Sequence, residues 1–318
     1  MSRSAIDRGS RVYVAGHRGL VGSAVWRHLT DQGFTDLVGR TSAELDLRDR
    51  QATFEFFGEQ RPEVVVVAAA RVGGILANSQ RPAEFLSENL QIQVNVLDAA
   101  AQAGSERLLF LGSSCIYPRL AEQPIREDAL LTGHLEPTNE AYAIAKIAGI
   151  LHTQALRRQY DRHYISAMPT NLYGPGDNFD LASSHVLPAM IRRFHEAKLS
   201  GAESVTVWGT GSPRREFLHV DDMARAVLFL LENYDEPEHV NVGVGSDVTI
   251  RELAELVARV VGYEDRLVWD TSKPDGMPRK LLDVSKIHRL GWKSEIDLED
   301  GIRSTYEWYQ ASEASRRD

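Results

Sequence analysis

Tyr142 and Lys146, four residues apart in the run Asn139-Glu-Ala-Tyr142-Ala-Ile-Ala-Lys146, carry the first chemistry legible in this chain. The run lies among strong helix formers that continue to about Tyr160, so the spacing stacks both side chains on one helix face. An ammonium beside a phenol favours the phenolate. It is expected to bring the phenol down from its usual pKa of about 10 toward the working range of a general acid/base. Such a group suits the interconversion of a carbonyl and an alcohol. Taken alone, Tyr-x-x-x-Lys is common on amphipathic helices, and its meaning depends on whether the chain also supplies a cofactor and a substrate.

The elements that must position this pair begin near the N-terminus. Arg11-Val-Tyr-Val-Ala15 reads as a buried strand, Gly16-His-Arg-Gly19-Leu-Val-Gly22 as a glycine turn, and Ser23 to Gln32 as a helix. Strand, glycine turn and helix in that order form the context that makes a dinucleotide site credible. Glycines permit the tight turn and the close approach of backbone to pyrophosphate, and the helix N-terminus offers free N–H groups to it. The second strand, about 36–39, ends in Gly39-Arg40, with no acid until Glu44. An acidic residue there would hold a ribose 2′-hydroxyl. Its absence, with Arg18 and Arg40 nearby, favours a 2′-phosphate and hence NADP, although Arg40 reads equally well as a solvated surface arginine. Asp46 is placed to meet the adenine amino group.

Helices over 49–60, 82–103 and 139–160 alternate with strands over 63–70, 107–112 and 164–168, which predicts an α/β fold with a doubly wound parallel sheet. After Pro169 the rhythm changes. A turn-rich run covers 171–176, a helix 185–198 takes Ser183 or Ser184 as N-cap, and a short strand covers 205–208. A loop spans 209–216, a helix 222–233, a strand 239–242, a helix 249–262, and a last helix starts near 298. The expected division is a dinucleotide-binding domain of 1–175 with 215–245, and a smaller C-terminal α/β substrate lobe of 176–214 with 246–318.

Strand 107–112 runs into Gly112-Ser-Ser-Cys-Ile-Tyr-Pro118. Ligands of open α/β sheets lie beyond the carboxyl ends of the strands, so a serine here can bond the oxygen that Tyr142 protonates. The glycine turn, this serine and Tyr-x-x-x-Lys together resemble the short-chain dehydrogenase/reductase family in its extended, nucleotide-sugar branch. Further runs carry the resemblance over nearly the whole chain: Ala70-Arg-Val-Gly-Gly-Ile75, Glu136-Pro-Thr-Asn139, Met168-Pro-Thr-Asn-Leu-Tyr-Gly174, Arg215-Glu-Phe-Leu-His-Val-Asp-Asp222, Lys273-Pro-Asp-Gly276 and Arg279-Lys-Leu-Leu-Asp283. The resemblance implies a Rossmann fold, NADP(H), and a GDP-sugar substrate, with epimerisation at C3 and C5 and reduction at C4 of a 4-keto-6-deoxy-mannose unit. It implies Tyr142, Lys146 and Ser113 for reduction, and Cys115 with His185 as the base and acid of epimerisation. Cofactor contacts are implied for Gly16, His17, Arg18, Gly19, Leu20, Val21 and Gly22, and for Arg40, Asp46, Leu111, Gly112, Ser113 and Ser114. They continue at Lys146, Pro169, Thr170, Asn171, Leu172 and His185. Arg193, Trp208, Arg215 and Asp275 match substrate-binding positions, and a homodimer through the helices near 82–103 and 139–160 is implied. Where family members can carry an arginine near the 2′-phosphate, this chain has Ser42.

Composition sets the outer bounds. A chain of 318 residues, 43% hydrophobic and 25% charged, is ordinary for a globular enzyme of one or two domains. A net charge of −9 gives no support to nucleic-acid binding. No apolar run approaches the roughly 20 residues that span a bilayer. The polar Met1–Ser10 has no secretory character, and a single cysteine accords with a reducing compartment, so a cytoplasmic location is expected. Two other readings stay open at this point: a 4-epimerase or 4,6-dehydratase of the same branch, which recycles bound NAD, and a catalytically silent NADP sensor.

Overall fold

The computed structural model describes residues 6–181, 183–273 and 275–315. The first half alternates as expected: β1 (Val12–Ala15), α1 (Leu20–Asp31), β2 (Leu37–Val38), α2 (Arg50–Gln60), β3 (Val64–Val67), α3 (Ile75–Gln80), α4 (Pro82–Ala103), β4 (Arg107–Leu111), α5 (Glu140–Tyr160) and β5 (His163–Pro169). Then come β6 (Asn171–Tyr173), α6 (Val186–Ser200), β7 (Ser204–Trp208), β8 (Arg214–Arg215), β9 (Phe217–His219), α7 (Val220–Asn233) and β10 (Val240–Val242). The chain ends with β11 (Val248–Thr249), α8 (Ile250–Val261), β12 (Arg266–Asp270), β13 (Arg279–Lys280), α9 (Ser285–Leu290) and α10 (Leu298–Ser315).

Six parallel strands form the main sheet in the order β10-β5-β4-β3-β1-β2. Its centre is the valine run of β3, buried throughout, with Val66 opposite Val14 on one side and Leu109 on the other. Such a run survives only where helices cover both faces. Here α1 packs on α7, while α4 packs on both α2 and α5. The chain steps outward from β1 to β2 and then crosses back to β3. The strand order therefore reverses between β1 and β3, and that crevice is where ligands of such sheets bind.

Several expected loops turn out to be ordered by distant partners. Asn171–Tyr173 is a strand paired with β9, and Arg214–Arg215 is the middle strand of a three-stranded sheet, β11-β8-β13. These pieces are too short to show a period in sequence. The N-cap of α6 is His185, with no side-chain cap bond, rather than Ser183 or Ser184. Both serines lie in a turn in which Asp180 already accepts from Ser183.

Two apolar clusters organise the molecule. One follows the main sheet; the other gathers α6, α8, α10 and β7 around Phe194, Ile191 and Val257. Leu282, Val284, Ile287 and Trp292 pack into the first cluster although they come late in the chain. The lobe division we carry forward as a proposal therefore assigns 281–292 to the nucleotide side. The joint is Glu216, which is fully buried. Its Oε1 accepts from the backbone N–H groups of Val244 and Gly245 at 2.6 and 2.7 Å, and its Oε2 from Leu282 at 3.1 Å.

On the edge strand, Tyr117, His239 and Asn241 form a buried network. Asn241 Nδ2 donates to the carbonyls of Ile125 and Asp283, which orients the amide so that its Oδ1 accepts from Tyr117 at 2.5 Å. The phenol has then spent its one proton, so His239 Nε2, 2.9 Å away, must be the donor to it. Burial, with the Lys286 ammonium nearby, pulls the pKa of His239 down to about 4. The native state therefore refuses a proton that the unfolded chain binds, and stability is lost as pH falls from 6.5 toward 4. The loss should reach about 3 kcal/mol at the acid end. Urea midpoints measured across this window should fall less steeply for His239→Gln than for the wild type.

Candidate active site

The carboxyl end of β4 brings the first group of residues together. Gly112 leaves room for the Met168 side chain, whose Sδ would lie 2.2 Å from a Cβ at this position. Ser113 follows as the N-cap of a short 3-10 turn, its Oγ 3.4 Å from the Cys115 N–H that it accepts. The same hydroxyl lies near enough to the Tyr142 phenol and the Cys115 thiol to favour the ionised form of each. From α5, Lys146 is buried and donates from Nζ to Leu111 O at 2.8 Å, with Nζ 5.8 Å from the Tyr142 ring centre. Ser113, Cys115, Tyr142 and Lys146 thus converge on one point.

The electrostatics differ from the expected arrangement in one respect. Lys146 does not bring the phenol down: burial, reinforced by the neighbouring Cys115, pushes the Tyr142 pKa up, and only the Ser113 hydroxyl opposes it. Desolvation penalises whichever form is charged, and here it outweighs the lysine. The same burial lowers Lys146 to about 8 and raises the Cys115 thiol, which Lys280, Ser113 and Lys146 pull back. Tyr142 is accordingly held as a proton donor.

At the crevice between β1 and β3, Gly16 has φ of +81°, and a Cβ there would lie 2.8 Å from Ala69 N. A Cβ on Gly22 would fall 2.0 Å from Gly16 O. Two positions, Gly16 and Gly22, therefore exclude a side chain, and with Gly19 between them they leave a cradle of exposed backbone. Gly19 caps α1 without a side-chain bond, leaving the first N–H groups, those of Leu20 and Val21 among them, available to a pyrophosphate. The helix begins at Leu20, inside the turn, three residues before its expected start. At the end of β2, Glu44 is turned away onto Thr41, whose N–H and hydroxyl donate to it at 2.7 and 2.8 Å. Asp46 is held by Nε and Nη2 of Arg48, which fixes the orientation of its carboxylate. Arg18 and Arg40 are exposed, and among the described residues neither has a carboxylate within ion-pair distance. These residues fit a dinucleotide with a 2′-phosphate. Pro169–Leu172 continues from the carboxyl end of β5, where Thr170 Oγ1 and Asn171 Nδ2 both donate to Glu216 O. His17 packs its ring under Gly39 and beside Trp26.

The far wall comes from the C-terminal half. Trp208, 56% exposed at the end of β7, lies with Arg193 Cζ 5.7 Å and Lys273 Nζ 5.5 Å from its ring centre. An indole that open, flanked by two cations, can receive a flat base or ribose with its phosphates alongside. Arg192 faces elsewhere, bonded to Glu196 and Phe179 O. Asp275 accepts from Thr210 at both oxygens, at 2.7 and 2.8 Å, and so braces the turn after Trp208. Pro274, in the run Lys273–Gly276, lies outside the described residues. Arg215 on β8 is paired in register with Lys280 on β13. His185 stands at the start of α6, its pKa lowered by burial and by Lys280. Lys280 also lines, with Cys115, Glu136, Asn139 and Met277, a small cleft at the 3-10 turn. Lys273 and Lys280 were not singled out from sequence. Both lie in recognisable runs, but nothing local to those runs marks their ends as facing Trp208 or Cys115.

A parallel sheet with a glycine cradle at its switch point, and serine, tyrosine and lysine at the next strand end, defines a dinucleotide-dependent oxidoreductase or epimerase. The chain belongs to the NAD dependent epimerase/dehydratase family, whose sequence profile matches residues 12–243. It is 64% identical over 304 residues to probable GDP-L-fucose synthase 1 of Oryza sativa subsp. japonica, covering 95% of this chain and 93% of that protein. It is 56% identical over 308 residues to the GDP-L-fucose synthase of Escherichia coli (strain K12), covering 94% and 96%. Among solved structures, a GDP-L-fucose synthetase of Naegleria fowleri bound to NADP superposes with a TM-score of 0.92 at 28% identity, over 100% of this chain and 97% of that one. A GDP-6-OMe-4-keto-L-xylo-heptose reductase of C. jejuni gives 0.93 at 38% identity, over 97% and 100%.

The unpaired guanidinium at Arg18 generates a test. A charge-assisted bond to phosphate contributes about 1.5–3 kcal/mol. Arg18→Ala should therefore weaken NADPH binding by roughly tenfold or more and leave NADH binding nearly unchanged, as measured by fluorescence titration; equal losses would remove Arg18 from phosphate recognition.

Proposed function

We propose that this chain converts GDP-4-keto-6-deoxy-D-mannose to GDP-L-fucose by epimerisation at C3 and C5 followed by NADPH-dependent reduction at C4. The observation that carries the reading is the convergence of Cys115 with Ser113, Tyr142 and Lys146 at the end of β4, with Lys280 acting electrostatically on both Cys115 and His185. The GDP-L-fucose synthases at 56–64% identity support it. A 4-epimerase or dehydratase that recycles its cofactor has no use for a second thiol–imidazole pair at that point.

The mechanism follows from one ketone. Hydrogens on C3 and C5 are acidic because both carbons flank the C4 carbonyl. Cys115 as thiolate removes one, and His185, neutral at neutral pH because its pKa is lowered, relays a proton from solvent to the opposite face. The enolate oxygen accepts from Tyr142 and Ser113, donors already in place beside it. Bound NADPH supplies the hydride that reduces C4. Tyr142 then gives its proton to the new alkoxide, and its upward-shifted pKa keeps that proton available until the oxygen becomes strongly basic. Lys146, tied to Leu111 O, fixes the geometry and holds the nicotinamide ribose. Arg193, Trp208 and Arg215 take the GDP end, with Arg215 a half-buried cation suited to the diphosphate.

We further place the chain in the cytoplasm, a reducing compartment in which a buried catalytic thiol stays free. A homodimer through α4 and α5 accounts for the exposed Val94, Ile144 and Leu151 on those two helices. No helix among the described residues is long and apolar enough to cross a membrane.

Two measurements test the reading. Incubation with GDP-4-keto-6-deoxy-D-mannose should oxidise NADPH and yield GDP-L-fucose, and an unchanged NADPH absorbance would end the proposal. With NADPH withheld, the wild type should exchange the C3 and C5 hydrogens with deuterated water. Cys115→Ser should slow that exchange by about a hundredfold or more, in line with the loss of a general base.

A further inference from the structure

Around Cys115 the structure gathers an uneven set of charges. Lys146 approaches from α5, Lys280 from β13 and Arg215 from β8, and each is penalised by burial. The neighbouring acids are few. Glu136 is the one that acts on Lys280, and it is engaged by Arg119 at 3.3 Å and by the Thr138 hydroxyl. Tyr142 is held protonated, and His185 and Ser113 contribute no negative charge. Lys146 has its own acceptor in Leu111 O, and Arg215 donates to Arg214 O at 2.8 Å. Lys280 has no hydrogen-bond acceptor or ion pair among the described residues, although its side chain lines the cleft beside Cys115. A desolvated ammonium without an anion is unfavourable unless an anion forms next to it.

We propose that Lys280 is the fixed cation that makes Cys115 a base, its ammonium supplying the positive charge against which the thiolate forms. Lys280 is then a positioning residue that acts through charge and transfers no proton itself. The thiolate takes the hydrogen from the carbon beside the ketone and becomes a thiol, the electron pair passes to the enolate oxygen, and Lys280 stays protonated throughout. Coupling between the two groups is mutual: the thiolate favours the ammonium as much as the ammonium favours the thiolate. The backbone supports the placement. Parallel pairing of Lys280 with Arg215 fixes β13, and the Leu282 N–H bound to Glu216 fixes it two residues later.

The inference rests on the functional reading above for its meaning, but its test needs no sugar. Cys115 is the single cysteine in the chain, so thiolate absorbance near 240 nm, corrected by the Cys115→Ser spectrum, reports that one group. Lys280→Met should raise the apparent thiol pKa by at least one unit, equivalent to a tenfold loss of thiolate at pH values below it, and Lys280→Arg should restore most of the shift. The rate of C3/C5 exchange should move its pH profile by the same amount while the KM for the GDP-sugar changes little. Coincident thiol titrations in wild type and Lys280→Met, or a loss confined to KM, would overturn the proposal and make Lys280 a diphosphate ligand. Should Lys280→Met fail to fold, the reciprocal measurement decides. The Lys280 side chain, followed by carbon-13 NMR, should titrate at lower pH in Cys115→Ser than in wild type, and an unchanged titration would equally reject the coupling.

Discussion

The site depends on the carboxylate of Glu216. It is fully buried and has no cation within ion-pair distance among the described residues, so its charge rests on three backbone N–H groups, from Val244, Gly245 and Leu282. Those donors belong to two separate segments, one after β10 and one after β13. The carbonyl of the same residue accepts from Thr170 and Asn171, at the start of the cofactor-side segment. One residue therefore joins the end of the main sheet to the sheet that carries Arg215 and Lys280. A buried carboxylate stripped of these donors would cost several kcal/mol, which makes the arrangement all-or-none and the wall it supports rigid.

A second constraint governs the chemistry. Every ionisable group near the reacting ketone is desolvated, and each responds in favour of its neutral form: the Tyr142 phenol and Cys115 thiol move up, and Lys146, Lys280 and His185 move down. This compresses the gap between the groups that must lose protons and those that must hold them. A phenol that stays protonated serves both as donor to an enolate and as acid to an alkoxide. In the proposed reaction the Cys115 thiol must ionise and needs a nearby cation, the duty we assign to Lys280 on β13. The same low-dielectric surroundings thus assign opposite duties to Tyr142 and Cys115.

Much of this was legible in the residues themselves. The glycine turn, the valine run of β3 and the Tyr-x-x-x-Lys spacing are local patterns, and the structure places them in the order that those patterns imply. The short strands were not legible: β8, β11 and β13 have two residues each, and pairing with partners up to 65 positions away leaves no period within the strand. For the same reason the sequence carries no sign that Asp275 braces the turn after β7. Its engagement by Thr210 exists only once the segment after β12 folds back on the turn after β7.

The sequence by itself determined the glycine cradle and the placing of Tyr142 and Lys146 on one helix face, because glycine turns and helix spacing act over a few residues. Tertiary structure alone decided which groups share the cleft, and which way their proton affinities move. Desolvation depends on everything packed around a group, and charge coupling depends on distance in space. Neither is written in the neighbouring residues of the chain.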